Sequence, residues 1–345
     1  MTQNRIWWGV SALGIKAIGN TGGYTTVHGL QSIGTTTKID IRKIFEIGQS
    51  EIYENVEELP DVEMTAEKVF DGYPILYHLA TPAATSSSLL GRSNEKCIAA
   101  IALFGDTNDS ASGTPLAIME MSGLFVNSWN AEFSVDGDAK ESCTFVGNNK
   151  LWKNGSSSFY GTAFNGTIFD NTDTPLAITG SGGVQQRENI IWDGASTSVV
   201  TVLPTDIPGM SSSGTNNIVA GTRTAHIQKI SVSADFGREA MKELGQKAPY
   251  HRYMNLPVDV KTDIELISLS GDMISVSESA SSNTSNQTIR VVLTEGLNVY
   301  LGTKNRLNNV SYGGADAGGG NATMTYSFTN SNFLTVTHPR DPAGL

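Results

Sequence analysis

Two cysteines, five histidines and scattered carboxylates are where chemistry would have to begin in this 345-residue sequence. Cys97 and Cys143 are too few for a disulfide framework and have no zinc-ligand spacing, so they read as reduced thiols in or beside a core. His28, His78, His226, His251 and His338 form no ligand pair and share no carboxylate partner at a recurrent spacing. His251, in "PYHRYMN", sits among aromatics and reads as a packed or surface residue. "DGDAKE" at 136–141 alternates carboxylates like a fragment of a calcium loop, but it lacks the full ligand register and reads as a hairpin turn. "GSGGV" at 180–184 is too short and wrongly placed for a phosphate loop, and the serines occupy polar loops without a nucleophile elbow. No catalytic residue, metal site or cofactor is expected, and the chain does not read as an enzyme.

The elements that would position side chains are strands. Thirty-six glycines and only 17% charged residues argue against a helical protein and for a surface made polar by Ser, Thr, Asn and Gly. A formal charge of −11 disfavours a grip on nucleic acid, which needs clustered Lys and Arg. "MTQNRIWWGV" has no export-signal pattern and no run is long enough to span a membrane, so folding in a reducing cytoplasm is expected.

Period-two alternation recurs along the chain. In "TKIDIRKI", Ile39 and Ile41 oppose Lys38, Asp40 and Arg42. In "VEMTAEKV", Val62, Met64 and Ala66 oppose Glu63, Thr65 and Glu67. Phe125, Asn127, Trp129, Ala131 and Phe133 are expected on one face of a strand whose hairpin turns at Asp136-Gly137. Ile230 and Val232 alternate with Lys229, Ser231 and Ser233. "GREAMKEL" is the best helical segment, with Gly245 placed as its C-terminal cap. After Pro257, the residues Val258, Val260, Thr262, Ile264 and Leu266 oppose Asp259, Lys261, Asp263 and Glu265. "TIRVVLTEGLNVYLG" and "ATMTYSFTNSNFLTVTH" close the chain with hairpins, joined by the glycine-rich "YGGADAGGGN". Residues 154–224 are rich in Gly, Ser, Thr and Asn with apolar islands around Trp192, Val199, Val200 and Leu203, an insertion expected to point outward. "TPLAI" occurs at 114–118 and again at 174–178, too short a repeat to weigh.

One longer segment is written twice. "FEIGQSEIYENVEELPDVEMT" (45–65) and "KELGQKAPYHRYMNLPVDVKT" (242–262) share Glu46/Glu243, Gly48/Gly245, Gln49/Gln246, Tyr53/Tyr250, Leu59/Leu256, Pro60/Pro257 and Thr65/Thr262 without a gap. Each copy lies between two alternating strands, the pattern of a repeated structural unit. The plan is a first half at 1–153, the insertion or connection at 154–224, and a second half at 225–345.

"GREAMKELGQKAPYHRYMNLPVDVKTDIE", "VNSWNAEFSVDGDAKESCTFVGNNKLW" and "LNNVSYGGADAGGGNATMTYSFTNSNFLTVTH" resemble segments of tailed-bacteriophage tail tube (major tail) proteins. The likeness reaches most of the chain except the first thirty residues and 154–200. It implies a mainly β fold, a sandwich or small barrel with short flanking helices, assembling into a ring with a large shared inner β-barrel. It implies a structural virion protein, made in the host cytoplasm, whose stacked rings form the conduit for DNA ejection. The implied partners are further copies of the chain, a tape measure protein, a tail terminator, baseplate or tail-tip proteins, a sheath where the tail is contractile, and DNA passing without specific binding. Single-domain members form hexamers whose subunits each lend four strands to a barrel of about twenty-four, with a bore of roughly 35–40 Å. Two halves per chain would close the same barrel with three chains as a pseudo-six-fold ring; a hexamer of one tube domain with large insertions is the rival geometry. Expected to line the bore are Glu63, Thr65 and Glu67, and Asp259, Lys261, Asp263 and Glu265. An adhesive or carbohydrate-binding virion surface β-protein is the alternative function, and a glycan-active enzyme with a carboxylate pair formed in space is a third.

Overall fold

A computed structural model describes residues 6–18, 23–105, 111, 115–154, 183–192, 199–205, 207, 210, 225–267, 286–314 and 320–345. Strands dominate, as the alternation requires. In chain order they are β1 (Ser11–Ala17), β2 (Thr25–Thr26), β3 (Leu30–Lys38), β4 (Ile41–Phe45), β5 (Ile52–Glu57), β6 (Asp61–Val69), β7 (Cys97–Leu103), β8 (Ala117–Ser134), β9 (Lys140–Gly147) and β10 (Asn149–Asn154). There follow β11 (His226–Asp235), β12 (Arg238–Met241), β13 (His251–Met254), β14 (Asp259–Ile267), β15 (Arg290–Val292), β16 (Asn298–Tyr300), β17 (Arg306–Gly313), β18 (Thr323–Ser331) and β19 (Thr335–Thr337). Two one-turn helices, α1 (Leu76–Ala80) and α2 (Leu89–Ser93), lie between β6 and β7. All of α1 is buried, and Ser88 caps α2 by accepting from Gly91 N at 3.1 Å.

Eight strands run edge to edge in the order β3-β6-β9-β8-β11-β14-β18-β17, every pair antiparallel. The last four repeat the order of the first four: a strand, its partner beyond a protruding hairpin, then a β-hairpin entered in reverse. The protruding hairpins are β4–β5 and β12–β13. Both turn on a left-handed glycine, Gly48 at φ 109° and Gly245 at φ 90°, where a Cβ would be strained. Both close alike, Gln49 N donating to Glu46 O at 3.5 Å and Gln246 N to Glu243 O at 3.4 Å.

β8 is long enough to serve two sheets. Its first part pairs β7 and β10, and β7 continues to β1 and β2; past Gly123 it joins the eight-stranded sheet. β15, β16 and β19 form a separate small sheet. The core fills the space under the eight strands, with Trp129, Phe145, Met64, Ile230, Val260, Ile264, Tyr326 and Phe328 from the sheet and Leu76, Tyr77 and Leu79 from α1.

Five expectations are corrected. "TKIDIRKI" is not one half-buried strand: β3 ends at Lys38, β4 begins at Ile41, and Ile39 and Ile41 are both exposed. "GREAMKEL" is not helical: Arg238–Met241 form β12, paired with β13, and Gly245 is a hairpin-turn glycine. Pairing of the hairpin and the anchoring of Arg238 below override local helix propensity. Phe125 leaves the face it was expected to share with Trp129, Ala131 and Phe133, because a bulge at Asn127 inserts a residue between Val126 and Ser128. Thr65 and Thr262 are not equivalent: Thr65 is exposed and Thr262 buried. The repeat is in step through the turns, but one extra residue before β14 aligns Asp61 with Asp259, and a one-residue slip exchanges faces. Finally, the described part of the insertion packs inward. Val200 and Leu203 are buried, Trp192 packs on the core, and Val202 and Ile190 bridge to Arg290 and Leu293. Residues 155–182, with the second "TPLAI", lie outside the described residues, as do 211–224 and 315–319 of the glycine-rich connection.

Candidate assembly surface

Alternation gives the eight-stranded sheet one apolar face, turned to the core, and one polar face. Glu63, Thr65 and Glu67 on β6 lie on the polar face, and so do Asp259, Lys261, Asp263 and Glu265 on β14. Cross-strand pairing shows that it is the same face. Glu67 pairs Ser142, Ser142 pairs Asn130, Asn130 pairs Ser233, and Ser233 pairs Lys261. The sheet thus brings together all seven residues singled out from the sequence. It adds others: Thr36 on β3, Lys140 and Thr144 on β9, Glu132 on β8, Lys229 and Ser231 on β11, and Thr325, Ser327 and Thr329 on β18. The period-two runs "KESCTFVG" and "TMTYSFTN" carry the signal that would have found those on β9 and β18.

Acidic side chains outnumber basic ones on this face, and two of its lysines, Lys140 and Lys229, are matched to carboxylates. Lys140 Nζ is 3.2 Å from Glu67 Oε1, and Lys229 Nζ is 3.1 Å from Glu132 Oε1. Such half-exposed pairs add little stability. Their consequence is electrostatic: the face offers no free cluster of cations with which to hold a polyanion.

Each end of the sheet is an open edge. Among the described residues β3 pairs only β6, and β17 pairs only β18. Tyr312 apart, the exposed side chains of both edges are polar or charged, Gln31, Ser32, Thr36, Thr37 and Lys38 on β3 and Arg306, Asn308, Asn309 and Ser311 on β17, which disfavours nonspecific aggregation.

The two four-strand sets are joined within the chain in three ways. The first is the β8–β11 ladder. The second is the base of the β12–β13 hairpin, which lies against the start of β6, the middle of β8 and the end of β9. Phe236 N donates to Asn127 O at 2.8 Å, Arg238 N to Asn127 Oδ1 at 3.2 Å, and Arg238 Nε to Val126 O at 2.8 Å. The guanidinium lies over the rings of Phe125 and Phe236, and Arg252 Nη2 reaches Asp61 Oδ1 at 2.5 Å. Burial lowers the pKa of Arg238 to about 10, which leaves it charged at neutral pH.

The third joint is a buried polar network. Gly72 N donates to Glu295 Oε2 at 2.5 Å, His78 Nε2 donates to Val336 O at 3.0 Å, and Arg92 pairs with Asp341. Nearby, Lys68 Nζ binds Asp71 Oδ1 at 3.0 Å, and Glu141 accepts from Leu76 N and, at 3.1 Å, from Trp129 Nε1. Burial raises Glu141 and Glu295 to about 7 against the pull of Lys68. Burial also lowers His78 and His338 to about 3. Burial pushes the Cys97 thiol up to about 12 and Cys143 well above its ordinary value, so both are poor nucleophiles. Among the described residues no group of His, Cys, Asp and Glu is placed to hold a metal ion, and no helix is long and apolar enough to cross a membrane.

No protein-family model matches the chain, and no curated protein matches it. Solved structures match part of it. A chain of the anti-feeding prophage (AFP) baseplate, 6-fold symmetrised, matches at 12% identity and TM-score 0.34, over 46% of this chain and 100% of its own. A chain of the sheath-tube complex of an extracellular contractile injection system, PVC, in the extended state, matches at 11% identity and TM-score 0.33, over 44% and 94%. A chain of the AFP tube-terminating cap matches at 13% identity and TM-score 0.33, over 45% and 94%.

Proposed function

We propose that this chain is a structural subunit of a tail tube, that 1–153 and 225–345 are two tube domains descended from one unit, and that three copies close into a ring. The observation that carries the reading is the continuous eight-stranded sheet. Its second four strands repeat the order of the first four, and it ends in two open, polar edges. An eight-stranded barrel closed on itself would be filled by its own side chains, whereas about twenty-four strands enclose a bore of roughly 35–40 Å, enough for a duplex. The polar face, with Glu63, Thr65, Glu67, Asp259, Lys261, Asp263 and Glu265, then lines the lumen. Its acidic balance, with Lys140 and Lys229 matched to carboxylates, suits a conduit that must let DNA slide. The apolar face is already occupied by the chain's own core, which leaves the polar face for water. Tape measure, terminator and baseplate or tip proteins would be the neighbours along and at the ends of such a tube.

Native mass measurement with negative-stain microscopy of the purified protein tests this. Rings of three chains, or hollow filaments built from them, are expected. Rings of six chains would remove the two-domain reading and keep the tube, and a protein that stays a single chain at high concentration would overturn the tube itself.

A further inference from the structure

The junction between the two four-strand sets is a template for a contact that a single chain leaves unmade. At β8–β11, Asp235 pairs Ser128 and Ser233 pairs Asn130, next to the bulge at Asn127 that holds Phe236 and Arg238. β17 occupies in the second set the place of β8 in the first, and it carries its own bulge at an asparagine, Asn308, between Leu307 and Asn309. β3 occupies the place of β11. Counting from the turn glycines Gly48 and Gly245, Phe236 corresponds to Ile39, Arg238 to Ile41 and Asp235 to Lys38. Yet Phe236 is 1% exposed, while Ile39 and Ile41 are 55% and 51% exposed. The position that is covered at Phe236 in the second set is bare at Ile39 in the first, where β3 is the end of the sheet.

We infer that the β17 edge and Asn308 bulge of one copy receive the β3 edge and the Ile39–Ile41 segment of a second copy, with Lys38 opposite Asn309, Thr36 opposite Ser311 and Gly34 opposite Gly313. The register follows from equating Asn127 with Asn308 and Phe236 with Ile39. The faces agree independently. Thr36 pairs Glu63 and Ser311 pairs Thr325, so both lie on the polar side. Thr37 pairs Val62 and Val310 packs against the core, so both lie on the apolar side. A slip of one residue would set polar against apolar along the whole seam. Asn308, exposed in one chain, would take the main-chain bonds that Asn127 takes within it. The inference rests on the ring reading, since it requires a second copy.

Cysteine pairing tests it in the full chain. Thr36→Cys with Ser311→Cys is expected to give, on mild oxidation, reductant-sensitive species of more than one chain, with neither single variant doing so. Thr36→Cys with Tyr312→Cys, one residue out of register and on opposite faces, should crosslink at least tenfold less. Cys97 and Cys143 are buried and can remain in place. In addition, Ile39→Glu should raise the concentration needed for assembly about tenfold or more, from the lost burial of one Ile, and leave the thermal unfolding of the single chain unchanged. Parent protein that assembles while the 36/311 pair stays uncrosslinked, or crosslinks no better than 36/312, overturns the seam alone. Parent protein that never exceeds one chain overturns the ring reading and the seam together.

Discussion

Glu141→Gln should change how stability depends on pH more than it changes stability at any one pH. In the unfolded chain Glu141 ionises near its ordinary value of 4.5, whereas burial keeps it protonated in the fold up to about 7. Between those values the folded state holds one more proton than the unfolded state, so stability falls as pH rises through this window. A separation of about 2.5 units at 1.36 kcal/mol per unit is about 3 kcal/mol, lost by pH 7 and fully present below pH 4.5. Gln has no proton to lose. It keeps one carbonyl acceptor for Leu76 N or Trp129 Nε1 and leaves the other donor short, a pH-independent cost of about 1–3 kcal/mol. The variant is therefore expected to be the less stable protein near pH 4.5 and to match or exceed the parent near pH 7.5. Urea unfolding of both proteins as single chains, at half-unit steps from pH 4.5 to 7.5, measures the difference. Parallel curves would refute the reasoning, because they would show Glu141 ionised in the fold throughout, stabilised by its donors and Lys68 over the cost of burial.

Histidine works in the opposite direction: His338 is held at about 3, so its contribution is complete above pH 6.5 and is lost as pH falls toward 3. His338→Gln should flatten that acid limb in the same urea series. Asp341→Ala leaves the buried Arg92 unpaired and should cost about 3–5 kcal/mol in chemical denaturation, most of it restored by adding Arg92→Met. Gly302→Ala places a Cβ 2.8 Å from the Phe333 ring at φ 73°, and Gly48→Ala meets nothing at φ 109°. Strain alone suggests about 1–2 kcal/mol at Gly48, with about 1–3 more for overpacking at Gly302, read as a larger fall in melting temperature.

Period two made the sheet faces legible, because a strand's neighbours in space repeat what its sequence states locally. Val62, Met64 and Ala66 against Glu63, Thr65 and Glu67 needed no partner strand to be sorted. The turn glycines were half legible: the shared Gly-Gln marked Gly48 and Gly245 as equivalent, but Gly245 read as a helix cap, because a left-handed glycine closes a hairpin as readily as it ends a helix. Features that depend on a distant partner were not. "REAM" reads as helix until β13 is laid beside it, and the bulge that diverts Phe125 depends on β9, which pairs Val126 and Ser128 but skips Asn127, and on the Phe236–Arg238 segment, which binds Asn127. α1 was hidden for a related reason: "LYHLA" is apolar on every side, so it has no helical stripe, and it forms because the core surrounds it. The carboxylates of the buried joint, Glu141 and Glu295, lay in alternating or turn segments where an acidic residue is ordinarily exposed.

The two protruding hairpins share a turn but not a surface. The first carries Glu51, Glu54, Glu57 and Glu58 beside Ile47 and Tyr53; the second carries Lys242, Lys247 and Arg252 beside Leu244, Tyr250 and Tyr253. In a ring of identical single-domain subunits, any substitution that improved one such hairpin would be imposed at every position around the circle. A chain that holds two copies escapes that constraint. One hairpin can drift toward acid and the other toward aromatic and basic residues without either change being repeated next door. In the ring proposed above, two kinds of docking point would thus alternate on a single circumference while the strands beneath them keep one geometry.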